Sequence, residues 1–143
     1  MPTSNAQARW EGTLKDGKGI MKVGSGAFEG AYSFATRFEG AAGTNPEELI
    51  GAAHAGCFSM ALSLLLEKAG YPPRSIETRA EVTLGKVGEG FEITVIKLKT
   101  EADVPGMEAG DFQKQAEAAK AGCPVSKVLA GTKIELEAAL KGS

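Results

Sequence analysis

Two thiols carry most of the chemistry open to this chain. Of its 143 residues, two are cysteines, Cys57 and Cys123, and one is a histidine, His54. A cysteine amid apolar residues is either a small packing residue or a nucleophile. The nucleophile is the thiolate, and an apolar setting raises a thiol's pKa and leaves it inert. A reactive Cys57 therefore needs a cation beside it. Its own segment offers none within about a turn apart from His54, so the cation has to come from elsewhere in the fold. An arginine suits, because it stays charged when partly desolvated. His54, three residues before Cys57, is either the base of a Cys–His dyad or a satisfied core histidine. Glu47 lies ten residues before Cys57, roughly 15 Å along a straight helix. The two serve one site only if the helix bends sharply or Glu47 comes from a second subunit. The other reading is that Glu47 and Glu48 simply favour a helix N-terminus. Cys123 stands between Gly122 and Pro124, near a helix start. Free N–H groups there favour a thiolate, and the bland alternative is an ordinary capped turn.

These residues need elements to hold them. Asn45 to Gly70 reads as one long central helix. Asn45 is the N-cap, Pro46 fits the first turn, Glu48 completes a capping box, and Gly70 stops it. Leu49 to Leu66 carries no formal charge, so the helix is covered on every side or spans a membrane. Gly51, Gly56, His54, Ser59 and Ser63 dilute it too far for a span. The stripe Gly51, Ala55, Ser59, Ser63 invites close approach of another backbone, a second copy of the helix being one candidate. Before it, Ala6–Leu14 and Lys18–Val23 read as a hairpin turning at Asp16-Gly17. Tyr32–Glu39 reads as a strand, with Tyr32, Phe34, Thr36 and Phe38 on one face and Arg37 on the other.

After the helix, Thr78–Leu84 alternates with Ala80, Val82 and Leu84 inward. Phe91–Val104 is a long strand whose apolar phase changes between Val95 and Ile96, through either a bulge or burial on both faces. Asp111 caps a helix to about Ala121 with Phe112, Ala116 and Ala119 on its apolar face. A short helix runs from Pro124 to about Leu129, and Thr132–Leu140 closes the chain as a strand. Hairpins outnumber crossovers. The expected fold is therefore α+β, one domain over residues 1–143, with mostly antiparallel sheet wrapped around the central helix. One sheet covers one side of that helix, so a second subunit is expected on the other.

Composition narrows the function. Hydrophobic residues make up 43% of the chain and the net charge is −2. No Lys/Arg cluster or aromatic interleaving points to nucleic acid, and no basic amphipathic stretch points to a membrane surface. Two cysteines with one histidine make no ordinary zinc site. The N-terminus has no apolar secretory core, so a reducing, cytoplasmic setting is expected, with the cysteines free or redox-active.

The block RFEGAAGTNPEELIGAAHAGCFSMALSLLLEKAG, with AKAGCPVSKVL downstream and AxWEGxLKxGKG at the start, resembles the osmotically inducible protein C (OsmC) family, relatives of the organic hydroperoxide resistance proteins. The resemblance implies an intertwined homodimer of thiol peroxidases with sites at the subunit interface. It implies that Cys57 is the peroxidatic cysteine and Cys123 the resolving one. Arg37 is the arginine paired with the thiolate, with Arg9 as fallback, and Glu47 is the glutamate that holds the arginine. Hydroperoxides, organic ones and hydrogen peroxide, are the implied substrates. No metal, flavin or haem is required, and the implied reductant is a dithiol, a lipoyl group on a protein. Two rivals from other classes remain: a dimeric module binding an apolar ligand, with structural cysteines, and a Cys57–His54 hydrolase.

Overall fold

The computed structural model describes residues 1–142. In chain order these form β1 (Ala6–Glu11), β2 (Lys18–Val23), β3 (Glu29–Tyr32), α1 (Phe34–Phe38), α2 (Pro46–Lys68), β4 (Ser75–Val87), β5 (Gly90–Asp103), α3 (Ala109–Gly122), α4 (Pro124–Val128) and β6 (Lys133–Leu140). The architecture is α+β, as expected: two three-stranded sheets and one long helix. Two compact units divide the chain, Met1–Leu49 and the segment from Ile50 onward.

The first unit is an antiparallel meander, β1-β2-β3, followed by α1 and the start of α2. β1 ends at Glu11, short of the expected Leu14, where Gly12 turns the backbone at φ +96°. Trp10 pairs with Gly19, and Gly19 pairs with Tyr32. The two rings lean together over that glycine with centroids 5.4 Å apart. A Cβ on Gly19 would lie 2.6 Å from the Tyr32 ring and 2.7 Å from the Trp10 ring, so only glycine fits beneath them.

The expected strand Tyr32–Glu39 is a correction. β3 stops at Tyr32, and Phe34–Phe38 is helical. Ser33 caps it: its Oγ accepts from the Thr36 backbone N–H at 3.2 Å, and Thr36 Oγ1 accepts from the Ser33 N–H at 2.9 Å. This reciprocal box outweighs the alternation. The misreading has a simple cause. Phe34 and Phe38 are four apart, a spacing shared by alternate strand positions and one helix face, and their rings pack at 4.8 Å.

At the start of α2, the Asn45 cap is as expected, its Oδ1 accepting from the Glu48 backbone N–H at 2.8 Å. Among the described residues the return half of the predicted capping box is absent. The Glu48 carboxylate instead accepts from Thr44 Oγ1 at 2.8 Å.

The second unit packs α2 and α3 with the sheet β4-β5-β6. β4 and β5 form an antiparallel hairpin and β6 joins β5 in parallel. The phase change in β5 is a bulge. Thr83 pairs with Val95 but Leu84 with Ile93, leaving Thr94 as the extra residue. That one residue moves the inward set from Ile93 to Ile96, Leu98, Thr100 and Ala102. The core gathers Phe58, Leu62 and Leu66 of α2, Ile96, Leu98 and Ala102 of β5, the predicted Phe112, Ala116 and Ala119 of α3, and Cys123. α3 begins earlier than expected, with Glu108 at its N-cap and Asp111 within the first turn rather than capping it.

The small-residue stripe of α2 faces its own sheet. A Cβ on Gly51 would sit 3.4 Å from Val82 Cγ2, and Ser59 Oγ hydrogen-bonds Thr78 Oγ1 at 2.7 Å. The face left open is a different one, made by Ala53, Gly56, Met60 and Leu64, with Met60 77% and Leu64 51% exposed.

Candidate active site

Cys57 sits in the middle of α2, half-buried at the edge of the core, and both cysteines are free thiols. Cys123 reaches it from the α3–α4 junction. Gly122 ends α3, Cys123 is at once the C-cap of α3 and the N-cap of α4, and Pro124 occupies the first turn of α4. This chain reversal buries the Cys123 side chain completely and places it in the core cluster against which Cys57 packs. The two free thiols thus come together in one core cluster, although sixty-six positions separate them in sequence.

Burial pushes the Cys57 thiol up from its ordinary pKa. A hydrogen bond from the Val125 backbone partly offsets this, and the neighbouring Cys123 pushes it up further. None of these influences is a cation, and together they favour the protonated form of Cys57 over the thiolate.

Within the first unit, Arg37 and Glu47 form a bidentate fork. Arg37 Nε donates to Glu47 Oε1 at 3.0 Å and Nη2 donates to Oε2 at 2.8 Å. Glu47 is nearly buried in the first turn of α2, while the arginine side chain keeps 36% of its exposure. Both bonds are charge-assisted, and the planar fork fixes the guanidinium in direction as well as place. Arg9 makes a different pair, with Glu11 at 3.1 Å on the exposed β1 strand. Arg37, not Arg9, is the arginine engaged by Glu47.

His54 is fully buried on α2, and burial lowers its pKa, which favours the neutral ring. It turns to Ser126 rather than to Cys57: its Nε2 and Ser126 Oγ are 2.7 Å apart. Ser126 is a residue that sequence reasoning passed over. It stands three positions into α4, and its backbone N–H donates to Cys123 Sγ at 3.3 Å, while Cys123 Sγ–H donates to Ser126 Oγ at 3.1 Å. The Cys-x-x-Ser spacing at a helix start was the available signal, since a cap and its third residue face each other.

Two free thiols gathered in one core cluster, one of them at a helix start, are groups that cysteine-based peroxide chemistry uses. The comparisons with known proteins agree. The family model described as OsmC-like protein matches residues 39–137. The chain is 60% identical to the peroxiredoxin OsmC of Escherichia coli K12 over 124 residues, 86% of this chain and 87% of the relative. It is 32% identical over 93 residues to an organic hydroperoxide resistance protein of Xanthomonas axonopodis pv. citri, covering 64% of this chain and 63% of that one. A crystal structure of the organic hydroperoxide resistance protein of Elizabethkingia anophelis superposes with a TM-score of 0.72 at 26% identity, over 100% of this chain and 98% of the other. The chain belongs to the OsmC-like protein family and is a thiol-dependent peroxidase. Glu47, His54, Cys57, Cys123 and Ser126 fall inside the stretch that the family model matches, and Arg37 lies two residues before it.

Proposed function

We propose that the protein reduces organic hydroperoxides through a Cys57 sulfenic acid and a Cys57–Cys123 disulfide. The observation that carries this reading is that the two free thiols, far apart in sequence, meet in one core cluster. The Cys57 thiolate attacks the distal peroxide oxygen, the O–O bond breaks, and the leaving alkoxide takes a proton to depart as an alcohol. Cys123 then attacks the sulfenic sulfur, expelling water and forming the disulfide. A dithiol, in our reading a protein-borne lipoyl group in the cytoplasm, restores both thiols by exchange.

The cation that Cys57 lacks is Arg37, oriented by Glu47. Glu47 lies ten residues before Cys57, a separation that a regular helix spreads over roughly 15 Å. The fork therefore serves the thiol of a partner protomer. The partner in this homodimer covers the open face of Ala53, Gly56, Met60 and Leu64, where a monomer exposes large apolar side chains to water. Arg37 also lines an apolar cleft of about 260 Å³ with Trp10, Leu14, Tyr32, Phe34 and Phe38. Such a lining supports a hydrocarbon-bearing hydroperoxide over hydrogen peroxide.

Thiol counting tests the scheme. One equivalent of cumene hydroperoxide should remove both free thiols and give an intramolecular Cys57–Cys123 disulfide by mass mapping. An apolar-ligand binder with structural cysteines would keep its thiols or lose them slowly and unselectively.

A further inference from the structure

The resolving step needs something that the two cysteines do not supply. Its balance is Cys57–S–OH plus Cys123–S–H giving the disulfide and water. The attacking sulfur must shed its proton, because the thiolate rather than the thiol is the nucleophile. Cys123 is 0% exposed, so it cannot hand that proton directly to bulk water. The hydrogen bond that its S–H donates goes to Ser126 Oγ, 3.1 Å away. Ser126 is itself 4% exposed and lies 2.7 Å from Nε2 of the fully buried His54. Three buried groups from α2 and α4 therefore stand in line, ending at the reacting sulfur.

We propose that Ser126 and His54 form a proton relay that accepts the Cys123 proton as its sulfur attacks the Cys57 sulfenic acid. This rests on the reading of Cys123 as the resolving thiol. Hydrogen counting sets the direction of the relay. Cys123 S–H points at Ser126 Oγ, so the single hydroxyl hydrogen of Ser126 is free to point at Nε2. Nε2 is then the acceptor, and the proton of the neutral imidazole resides on Nδ1. Nδ1 is buried and, among the described residues, has no hydrogen-bond partner. A histidine kept only for packing is expected to pair both nitrogens. This one leaves one unpaired and commits the other to a hydroxyl that touches the resolving sulfur.

The step balances without any further reagent. As the S–S bond forms from the Cys123 lone pair, the S–O bond breaks and hydroxide leaves with its electron pair. The Cys123 proton moves to Ser126 Oγ, and the Ser126 proton moves to Nε2. Burial disfavours the imidazolium, so the ring gives a proton up again. A cleft of about 310 Å³, lined by Ser126 with Lys120, Lys127 and Thr132, lies beside the relay. Hydroxide and the released proton sum to the water of the overall reaction. Ser126, which touches the reacting atom, is the catalytic residue of this step. His54 acts through it as a positioning residue and proton acceptor.

The test separates the two half-steps. Reduced protein is mixed with one equivalent of cumene hydroperoxide and quenched at intervals, and mass spectrometry reports Cys57 sulfenic acid and disulfide. The unmutated protein, Ser126→Ala, Ser126→Thr and His54→Gln are compared. Loss of a general base costs about 10²-fold or more. The relay predicts that disulfide formation slows by about that factor in Ser126→Ala and His54→Gln, with sulfenic acid accumulating, while its rate of formation stays within about two-fold. Ser126→Thr, which keeps the hydroxyl, should recover most of the rate. The solvent deuterium effect on disulfide formation should shrink in Ser126→Ala. Disulfide formation at the unmutated rate in Ser126→Ala overturns the relay and leaves the disulfide scheme standing. Equal slowing of both steps without rescue by Ser126→Thr overturns it too, because that marks a packing role. If the unmutated protein forms no Cys57–Cys123 disulfide at all, the resolving role falls and takes the relay with it.

Discussion

Replacing Glu47 by glutamine tests whether the Arg37 fork serves chemistry or only packing. Gln keeps the size of Glu but carries no charge, and its amide nitrogen is a donor facing a donor. The fork at 3.0 and 2.8 Å then loses one of its two bonds and its charge assistance. A hydrogen bond to a charged group contributes about 1.5–3 kcal/mol. The arginine side chain is 36% exposed, so solvent screening reduces the expected loss to about 1–2 kcal/mol. For a chain of this length that lowers Tm by about 3–8 °C. The chemical consequence is larger. A guanidinium within about 4–6 Å lowers an acid's pKa by about 1–3, or roughly 10- to 1,000-fold in the thiolate fraction near neutrality. A misdirected Arg37 forfeits much of this. The assay is iodoacetamide alkylation of Cys57 as a function of pH, in a Cys123→Ser background so that one thiol reports. The apparent Cys57 pKa should rise in Glu47→Gln and again in Arg37→Ala, with alkylation at pH 7 falling by about ten-fold or more. A lowered Tm with an unmoved alkylation profile would refute the reasoning and leave the fork a structural ion pair.

Other consequences follow from the same geometry. Cys123→Ser should complete a single turnover and leave a sulfenic acid at Cys57 that dimedone traps; repeated turnover with the physiological class of dithiol would count against a resolving role. Met60→Asp combined with Leu64→Asp removes two apolar side chains from the proposed subunit contact, about 1.5–3 kcal/mol each, so sedimentation should show dimer association weakened by about 100-fold or more, and peroxide turnover lost with it. His54 is the only histidine, and its folded pKa lies below its unfolded one through burial. The unfolded chain therefore takes up the proton first, and stability should fall as pH drops below about 6.5, by at most about 1.4 kcal/mol per pH unit. Urea midpoints at several pH values should show this slope in the unmutated protein and lose it in His54→Gln.

The central helix was legible because cap, charge placement and stop residue agree over Asn45 to Gly70, and local and global preferences point the same way. The bulge in β5 was legible as a phase change, since an extra residue moves every later side chain to the other face. α1 was not, because the Phe34–Phe38 spacing serves strand and helix alike and only the short Ser33–Thr36 box decides between them. The Gly51–Ser63 stripe showed that something comes close to α2, but small side chains do not say which partner, and β4 of the same chain supplies it. In the candidate site, the Arg37–Glu47 pair and the meeting of the thiols came from the family resemblance rather than from spacing. Ser126 escaped notice because a serine in a short helix has no distinctive pattern. Its importance lies in contacts to His54, seventy-two positions away, that exist only once α2 and α4 pack together.

The central claim is that Cys57 is the atom that meets peroxide. Hydroperoxide consumption with a dithiol reductant, measured side by side on the unmutated protein and Cys57→Ser, tests it most directly. The account predicts steady consumption in the first and none above the uncatalysed background in the second, with Cys123 left as a free thiol. Consumption by Cys57→Ser at the unmutated rate would contradict it.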